Sequence, residues 1–125
     1  QPLFPQYRIT VVRDWPATQC ALAKIRPGDP PLAERFELYL GHYELANGYH
    51  ELTDAQEQRQ RFQRDLTVRE IRIASLPPLD QRLLASMAQG LPECAGVALG
   101  VDRLLMAMLG TDRIADVLAF DFAHA

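Results

Sequence analysis

The sequence predicts an α+β fold in which helices flank an antiparallel β-sheet. Three observations support this prediction: a strand, tight turn and returning strand within residues 34–54, a helical pattern over residues 55–72, and an apolar strand at residues 95–99 that leads into an apolar helix. The chain has 125 residues, of which 48% are hydrophobic. It therefore has the size of one globular domain or of part of a larger one.

The first predicted strand covers residues 7–15, YRITVVRDW, which are rich in β-branched and aromatic side chains. Pro16 ends this strand. Residues 26–31, RPGDPP, are predicted to form a loop because of their proline and glycine content. Loops of this kind often border a binding site, and a plain connector explains the same composition.

A β-hairpin is the best-defined element of the sequence. Apolar and polar residues alternate from Phe36 to Leu40, which is typical of a half-buried strand. Residues 41–42, Gly-His, are predicted to form a two-residue type II′ turn, because glycine suits its first central position. This turn places Leu40 opposite Tyr43.

The predicted register brings two carboxylates to one face of the sheet. The turn pairs Tyr39 with Glu44. An unbroken ladder then pairs Glu37 with Ala46, so Glu37 and Glu44 share a face. Two carboxylates on one sheet face are a candidate site for a divalent metal or another cation.

Other polar residues of the returning strand have odd numbers, whereas Glu44 has an even one. In a regular ladder Asn47, Tyr49 and Glu51 would point away from the two acids. We therefore predict a β-bulge or local twist between Leu45 and Gly48, with Gly48 as the permissive residue. Such a bulge would bring both sets of side chains to one cavity.

Two helices are predicted after the hairpin. Thr53 or Asp54 caps the first, over residues 55–72, and Glu57 is placed for a capping box. Its charged residues are predicted to form a solvated face, which the mixture of signs favours over a basic binding surface. Three apolar side chains are predicted to point inward: Phe62, Leu66 and Ile73. The second helix begins at Asp80 and stops at Gly90.

The sequence CAGVALGVDRLLMAMLG contains the second informative stretch. A strand at residues 95–99 meets a helix whose start is marked by Gly100 and Asp102. Gly96 and Gly100 leave room for a flat ligand near the backbone, and close packing of strand against helix explains them equally well. Arg103 would lie beside that gap, where a guanidinium can stack on adenine or pair with phosphate. A last strand is predicted at residues 117–122.

Composition and spacing argue against several classes of function. Lys and Arg total 13 against 16 Asp and Glu, a formal net charge of -3, so charge does not suggest binding to nucleic acid phosphates. No apolar run is long enough to span a membrane. Cys20 and Cys94 lack C-x-x-C spacing, which indicates reduced thiols in a cytoplasmic protein. Neither a metal-binding histidine pattern nor a nucleophilic triad is found.

Two motifs, in order, resemble the second half of the catalytic domain of lysyl-type class II aminoacyl-tRNA synthetases. The first joins RFE at residues 35–37 to ELANGYHELTD at residues 44–54, and the second is GVALGVDRLLM at residues 96–106. The resemblance covers roughly residues 15–120. The second motif looks like class II motif 3, whose arginine, here Arg103, clamps the adenine of ATP.

Within that superfamily the sequence most closely resembles the elongation factor P lysine ligases, stand-alone paralogues that modify a lysine of elongation factor P. The likeness lies in residues 16–23, 44–54 and 96–103. Lysyl-tRNA synthetases are similar but usually have asparagine at the position of Thr53 and glycine at that of Ala98. The added methyl group of Ala98 is expected to reshape the amino-acid pocket, in line with the family's preference for (R)-β-lysine over α-lysine.

The resemblance implies that ATP and Mg²⁺ are the cofactors and assigns residues to them. Glu37 and Glu44 are expected to hold Mg²⁺. Glu44, Leu45 and Gly100 are expected to contact the nucleotide. Arg103 binds ATP and is the expected catalytic residue.

The resemblance also implies an amino-acid site. Glu51 is expected to receive the amino group of β-lysine or lysine, while Asn47, Tyr49 and Ala98 line the pocket. A carboxylate can select an ammonium through a charge-assisted hydrogen bond, and a tyrosine can cover the methylene stem. The implied reaction forms an aminoacyl-adenylate and passes the acyl group to a protein lysine.

Class II motifs 1 and 2 are not found in these residues, and the chain begins at Gln1 rather than at methionine. We therefore expect residues 1–125 to be the C-terminal portion of a catalytic domain, inactive alone. The full-length protein is expected to act on elongation factor P rather than tRNA, and a homodimer is one implied state. A lysyl-tRNA synthetase fragment and a non-catalytic synthetase-like domain that binds a nucleotide or protein are the alternatives.

Overall fold

A computed structural model describes residues 9–71, 76–121 and 124 of the chain. The strands are β1 (Ile9–Pro16), β2 (Ile25–Arg26), β3 (Leu32–Leu40), β4 (Tyr43–His50) and β5 (Ala95–Leu99). The helices are α1 (Ala55–Ile71), α2 (Gln81–Ala88) and α3 (Val101–Leu109), with 3₁₀ turns at Ala17–Gln19 and Ile114–Asp116. These elements confirm the predicted α+β class.

The sheet is antiparallel, with β1, β3, β4 and β5 side by side in that order. The short β2 pairs with the start of β3, at Ala33 and Leu32. Just beyond the end of β4, Glu51 forms an isolated bridge with Ala23. The hairpin of β3 and β4 thus lies in the middle of the sheet, with backbone partners on both sides.

The tight turn of the hairpin forms as predicted. Gly41 has a φ of +56°, which a type II′ turn needs at its first central residue. Leu40 pairs with Tyr43, and Tyr39 pairs with Glu44. The local sequence signal therefore fixes the turn and the first two pairs.

The register beyond these pairs differs from the prediction. It shifts by one residue, so Leu38 pairs with Ala46 and Glu37 pairs with Asn47. Leu45 is the extra residue of a bulge, and the predicted pairing of Glu37 with Ala46 is wrong. The bulge is predicted between Leu45 and Gly48 but lies at Leu45 itself, whose carbonyl accepts a hydrogen bond from the amide of Gly100 at 2.8 Å.

Gly48 therefore has a different role from the predicted one. The ladder is regular through it, with Phe36 opposite. A Cβ at Gly48 would lie 2.7 Å from both the Gly96 carbonyl oxygen and the Phe36 ring. Gly48 is needed for close packing between strands and for the aromatic ring above it.

Helix α1 begins and ends close to the predicted positions. Asp54 caps it, accepting hydrogen bonds from the amides of Gln56 at 2.8 Å and Glu57 at 2.9 Å. The predicted capping box does not form, because the Glu57 carboxylate binds Arg61 instead. Among the residues predicted to face inward, Phe62 and Leu66 are half-buried, and Ile73 lies outside the described residues.

The prediction that the α1 charges are all solvated is wrong for Arg61. Its side chain is buried and pairs with Glu57. Its Nη1 donates to the carbonyl oxygens of Ala21 at 3.2 Å and Ala23 at 2.7 Å. Because Ala23 also bridges to Glu51, Arg61 joins the helix to the end of the central hairpin.

The C-terminal elements match the prediction up to the end of α3. Asp80 caps α2 through the amides of Arg82 and Leu83, and Gly110, with a φ of +71°, ends α3. The predicted last strand at residues 117–122 is wrong. Residues 117–121 follow a 3₁₀ turn irregularly, and no described strand pairs with them. Within the described part of the chain, no helix is long and apolar enough to cross a bilayer.

We predict that Arg61→Met destabilises the fold by about 1–3 kcal/mol, because it leaves the buried carbonyl group of Ala23 unsatisfied. Arg64→Met is the matched control, since Arg64 is exposed on the same helix and, among the described residues, its side chain bonds only the Gln60 carbonyl at 3.4 Å. Urea unfolding of the full-length protein measures both. Equal unfolding free energies for the two variants would contradict the structural role of Arg61.

Candidate active site

The bulge at Leu45 brings polar side chains of β4 to the sheet face that carries Glu37. Glu44 pairs with Tyr39, and Asn47 pairs with Glu37. Since paired residues of antiparallel strands share a face, Glu44 and Asn47 lie on the same face although their sequence parity differs. The predicted convergence is thus achieved by a bulge at a different residue.

Strand β5 adds two more rows to this face. Asn47 pairs with Ala98, and Tyr49 pairs with Gly96. A cavity of about 290 Å³ opens where β4, β5 and the start of α3 meet. Its lining residues are Glu44, Leu45, Ala46, Asn47, Ala98, Leu99, Gly100 and Arg103. The cavity therefore brings together all four predicted ATP-binding residues and two of the predicted substrate-binding residues.

Helix α3 is fixed to β4 at the mouth of this cavity. The amide of Gly100 donates to the Leu45 carbonyl, and Nη1 of Arg103 donates to the Glu44 carbonyl, both at 2.8 Å. A Cβ at Gly100 would be 3.5 Å from Cδ of Arg103, so the arginine side chain lies back over the glycine. The guanidinium is therefore held beside the cavity while its residue stays exposed.

Glu51 lies in the next row of the same face. A Cβ at Gly96 would be 2.8 Å from Oε1 of Glu51, so the carboxylate occupies the space that this glycine leaves. The amide of Glu51 donates to the Cys94 carbonyl at 2.9 Å. Among the described residues, the Glu51 carboxylate has neither a hydrogen-bond donor nor an ion-pair partner. An acid left in this state can receive a cationic group from a ligand.

Glu37 is in a different electrostatic state. Its carboxylate is buried and accepts hydrogen bonds from Arg35, from the Tyr39 hydroxyl and from Nδ2 of Asn47, the last at 3.3 Å. Its charge is therefore compensated within the protein, whereas no cation contacts the Glu44 carboxylate in the described structure. Asn47 keeps one free group, since its buried Oδ1 lacks a partner there.

The acids of this face fit a magnesium ion only if other ligands complete its shell. The described residues contain no group of three or more metal-binding side chains. Mg²⁺ commonly takes one or two protein carboxylates and completes its octahedron with water and phosphate oxygens. Glu44, whose carboxylate is unengaged, meets this requirement, and Glu37 can share it only by loosening its bond with Arg35.

Comparison with known proteins shows the family of the chain. The family model described as tRNA synthetases class II (D, K and N) matches residues 5–123. The chain belongs to this family. Proteins named elongation factor P (R)-β-lysine ligase from Salmonella enteritidis PT4 and Salmonella gallinarum are 51% identical to it over 125 residues, all of this chain and 38% of their own length. The chain thus spans little more than a third of the length of these relatives.

This class II synthetase chain also contains a residue near the site that the sequence did not reveal. Arg35 donates to Glu37 and, from Nη1, to the Gln19 carbonyl at 3.2 Å, and its guanidinium lies 4.5 Å from the Trp15 ring centroid. Because side chains alternate along a strand, Arg35 and Glu37 lie on the same face of β3. This spacing is the sequence signal from which their contact could have been predicted. Arg35 fixes the orientation of Glu37.

A charge cluster on the opposite face holds the end of β4 next to Glu51. His50 contacts Glu34 through Nδ1 and Glu93 through Nε2, the latter at 3.0 Å, and Lys24 also pairs with Glu93. The hydrogen bond and charge of Lys24, with a smaller contribution from His50, lower the pKa of Glu93. These contacts tie β4 to the loop before β5.

We predict that Lys24→Met raises the pKa of Glu93 toward its ordinary value, because Lys24 is the main cause of the lowering. Carboxyl NMR titration of the full-length protein measures the shift. Arg26→Met is the control, since Arg26 pairs with Asp14 and Glu34 but not with Glu93.

Because the folded-state pKa of Glu93 is lowered, its pairing stabilises the fold above the ordinary pKa. That contribution is lost as the pH falls through the lowered value. The same Glu93 pKa in the parent and Lys24→Met proteins would contradict the assignment.

Proposed function

We propose that the full-length protein is an ATP-dependent ligase that activates (R)-β-lysine as its adenylate and transfers the acyl group to a lysine of elongation factor P in the cytoplasm. The proposal is supported by the 51% identity of the entire chain to relatives that carry this name. One geometric observation carries it: the Glu51 carboxylate, which meets no cation among the described residues, lies on the sheet face that carries Asn47 and Ala98 of the cavity beside Arg103.

The amine of the substrate would bind to Glu51. A carboxylate without a protein cation gains most from an ammonium ligand, and such hydrogen bonds are worth about 1.5–3 kcal/mol. The Oδ1 of Asn47, which has no partner among the described residues, offers a second acceptor, and Tyr49, which pairs with Gly96, would cover the methylene groups. The carboxylate of the substrate would then extend toward the cavity that Arg103 borders.

The nucleotide would occupy that cavity. The guanidinium of Arg103 would bind the adenine, and Glu44, Leu45 and Gly100 would form the floor beneath it. Mg²⁺ would be held by Glu44, with Glu37 behind it, and would supply charge neutralisation for the phosphates. The protein's own contribution is orientation and electrostatic stabilisation rather than covalent chemistry.

In this reaction a carboxylate oxygen of the amino acid attacks the α-phosphorus of ATP, and the bond to pyrophosphate breaks. The amine of the acceptor lysine then attacks the acyl carbon, loses a proton and displaces AMP. Ala98 lies opposite Asn47 in this site. Its methyl group would favour the β-amino acid, and pocket differences of one methylene are worth about 10- to 200-fold in selectivity.

The chain would supply the motif 3 half of this site. We propose that the remaining length of the full-length protein supplies motifs 1 and 2, that the full-length protein forms a homodimer, and that residues 1–125 are inactive alone. A lysyl-tRNA synthetase activity is the second candidate, favoured by the family model, which covers lysine enzymes among others. The net charge of -3 supports a protein acceptor over tRNA.

The deciding experiment supplies the full-length protein with ATP and labelled (R)-β-lysine or α-lysine, together with either elongation factor P or tRNA. We expect label on elongation factor P, and faster pyrophosphate exchange with (R)-β-lysine than with α-lysine. Labelled tRNA together with equal exchange rates would support the synthetase instead. No exchange with either amino acid would favour a non-catalytic domain.

We predict that Arg103→Ala lowers the rate of pyrophosphate exchange by about 100-fold or more, because ATP loses the guanidinium that holds its adenine, and a misplacement of about 1 Å can cost about 100-fold in rate. Arg113→Ala is the matched control, since Arg113 is exposed beyond α3 and pairs only with Asp116 among the described residues. Unchanged exchange in Arg103→Ala would remove Arg103 from the site.

We predict that Gly96→Ala weakens amino-acid binding. The new Cβ would displace the Glu51 carboxylate, which should raise KM for the amino acid about 10- to 100-fold and leave KM for ATP nearly unchanged. Val97→Ala is the control, because Val97 is exposed on the opposite face of β5. An equal rise of both KM values would indicate general damage to β5 instead.

A further inference from the structure

A second, smaller cavity adjoins Glu51 and lies between the end of β4 and helices α1 and α2. Its volume is about 180 Å³. Its lining residues are Leu22, Glu51, Leu52, Gln58, Leu83, Ser86, Met87 and Leu91. Glu51 is the one charged residue in this lining, so its side chain borders both the open face of the sheet and an otherwise mostly apolar cavity.

Gln58 is the unusual residue of this cavity. It is 2% exposed, and its Nε2 has no hydrogen-bond partner within the part of the chain that the structure describes. Leaving a buried amide unsatisfied costs about 1–3 kcal/mol. The other buried polar residue of α1, Arg61, has several partners. The orphaned amide of Gln58 therefore calls for an acceptor inside the cavity.

Two side chains of the cavity can accept a hydrogen bond from Gln58. They are the Ser86 hydroxyl and the Glu51 carboxylate. A carboxylate is the stronger acceptor, and that of Glu51 lacks a donor among the described residues. Its Oε1 lies over Gly96 on the open face, and Oε2 is the second acceptor of the same carboxylate.

We propose that Gln58 is a positioning residue for Glu51. The two groups are not hydrogen-bonded in the described structure, and a rotation of their side chains would let the Gln58 amide donate to Oε2 and hold the carboxylate so that Oε1 faces the amine of the substrate. This inference rests on the proposed function, in which Glu51 receives that amine. A neutral donor holds the acid without cancelling its charge, in contrast to Glu37, whose carboxylate is bound by the cation of Arg35. The full charge of Glu51 thus remains available to an ammonium.

Gln58→Met in the full-length protein tests the proposal, because methionine keeps the side-chain length and removes the donor. The expected result is a rise in KM for the amino acid of about 10-fold or more, from the loss of one hydrogen bond to a charged group. KM for ATP should stay unchanged. The acid limb of kcat/KM for the amino acid should move to higher pH, since the ionised carboxylate loses its hydrogen bond.

Gln56→Met is the matched control, since Gln56 is exposed on the same helix. Gln58→Glu provides a second variant of the same size, in which a like charge should raise KM for the amino acid and move the acid limb to still higher pH.

Side-chain amide NMR of Gln58 in Glu51→Gln gives a readout independent of activity. The resonances should shift if the two groups are bonded.

The possible outcomes separate this inference from the proposed function. If Glu51→Gln leaves KM for the amino acid unchanged, the amine-binding role of Glu51 fails. If Glu51→Gln raises that KM while neither Gln58 variant changes KM or the acid limb, only the role of Gln58 fails. A loss of melting temperature in Gln58→Met without a shift of the acid limb would indicate a purely structural role and would overturn the proposal.

Discussion

The site depends on one irregularity of the central hairpin, the bulge at Leu45. Without this extra residue, Glu44 and Asn47 would lie on opposite faces of β4, and no cavity could use both. The bulge is held by the hydrogen bond from the Gly100 amide to the Leu45 carbonyl. Gly100 immediately precedes α3, and the first turn of α3 carries Arg103. The same short segment therefore binds the bulged part of β4 and places the arginine beside it.

Around this constraint the acids are kept in different states. Glu37 is buried and paired with Arg35, whereas Glu44 and Glu51 have carboxylates that meet no protein cation in the described structure. Burying a charge without a partner is costly. The protein limits that cost by leaving the two unpaired acids only half-buried, which also keeps them accessible to a metal ion or an amine. The face thus combines one compensated acid with two acids that meet no cation among the described residues.

Features governed by local signals could be predicted from the sequence, including the Gly41 turn, the Asp80 cap and the passage from β5 to α3. The position of the bulge could not, because the bulged Leu45 is bonded to Gly100, more than fifty residues away in the chain, and local sequence does not reveal such a contact. The burial of Gln58 and Arg61 could not be predicted from the sequence either, because it depends on which parts of the fold α1 packs against. The failed last strand had the right residue types but no described partner, and a strand needs one.

Two glycines limit where side chains can be added to the central strands. A Cβ at Gly48 would clash with the Gly96 carbonyl oxygen at 2.7 Å, and a Cβ at Gly96 would displace the Glu51 carboxylate, which lies 2.8 Å away. Ala98, one row away, carries its methyl group without disturbing the ladder. Side-chain size on this face can therefore vary at the Ala98 row without moving the backbone, whereas the Gly96 row is constrained by the acid beside it.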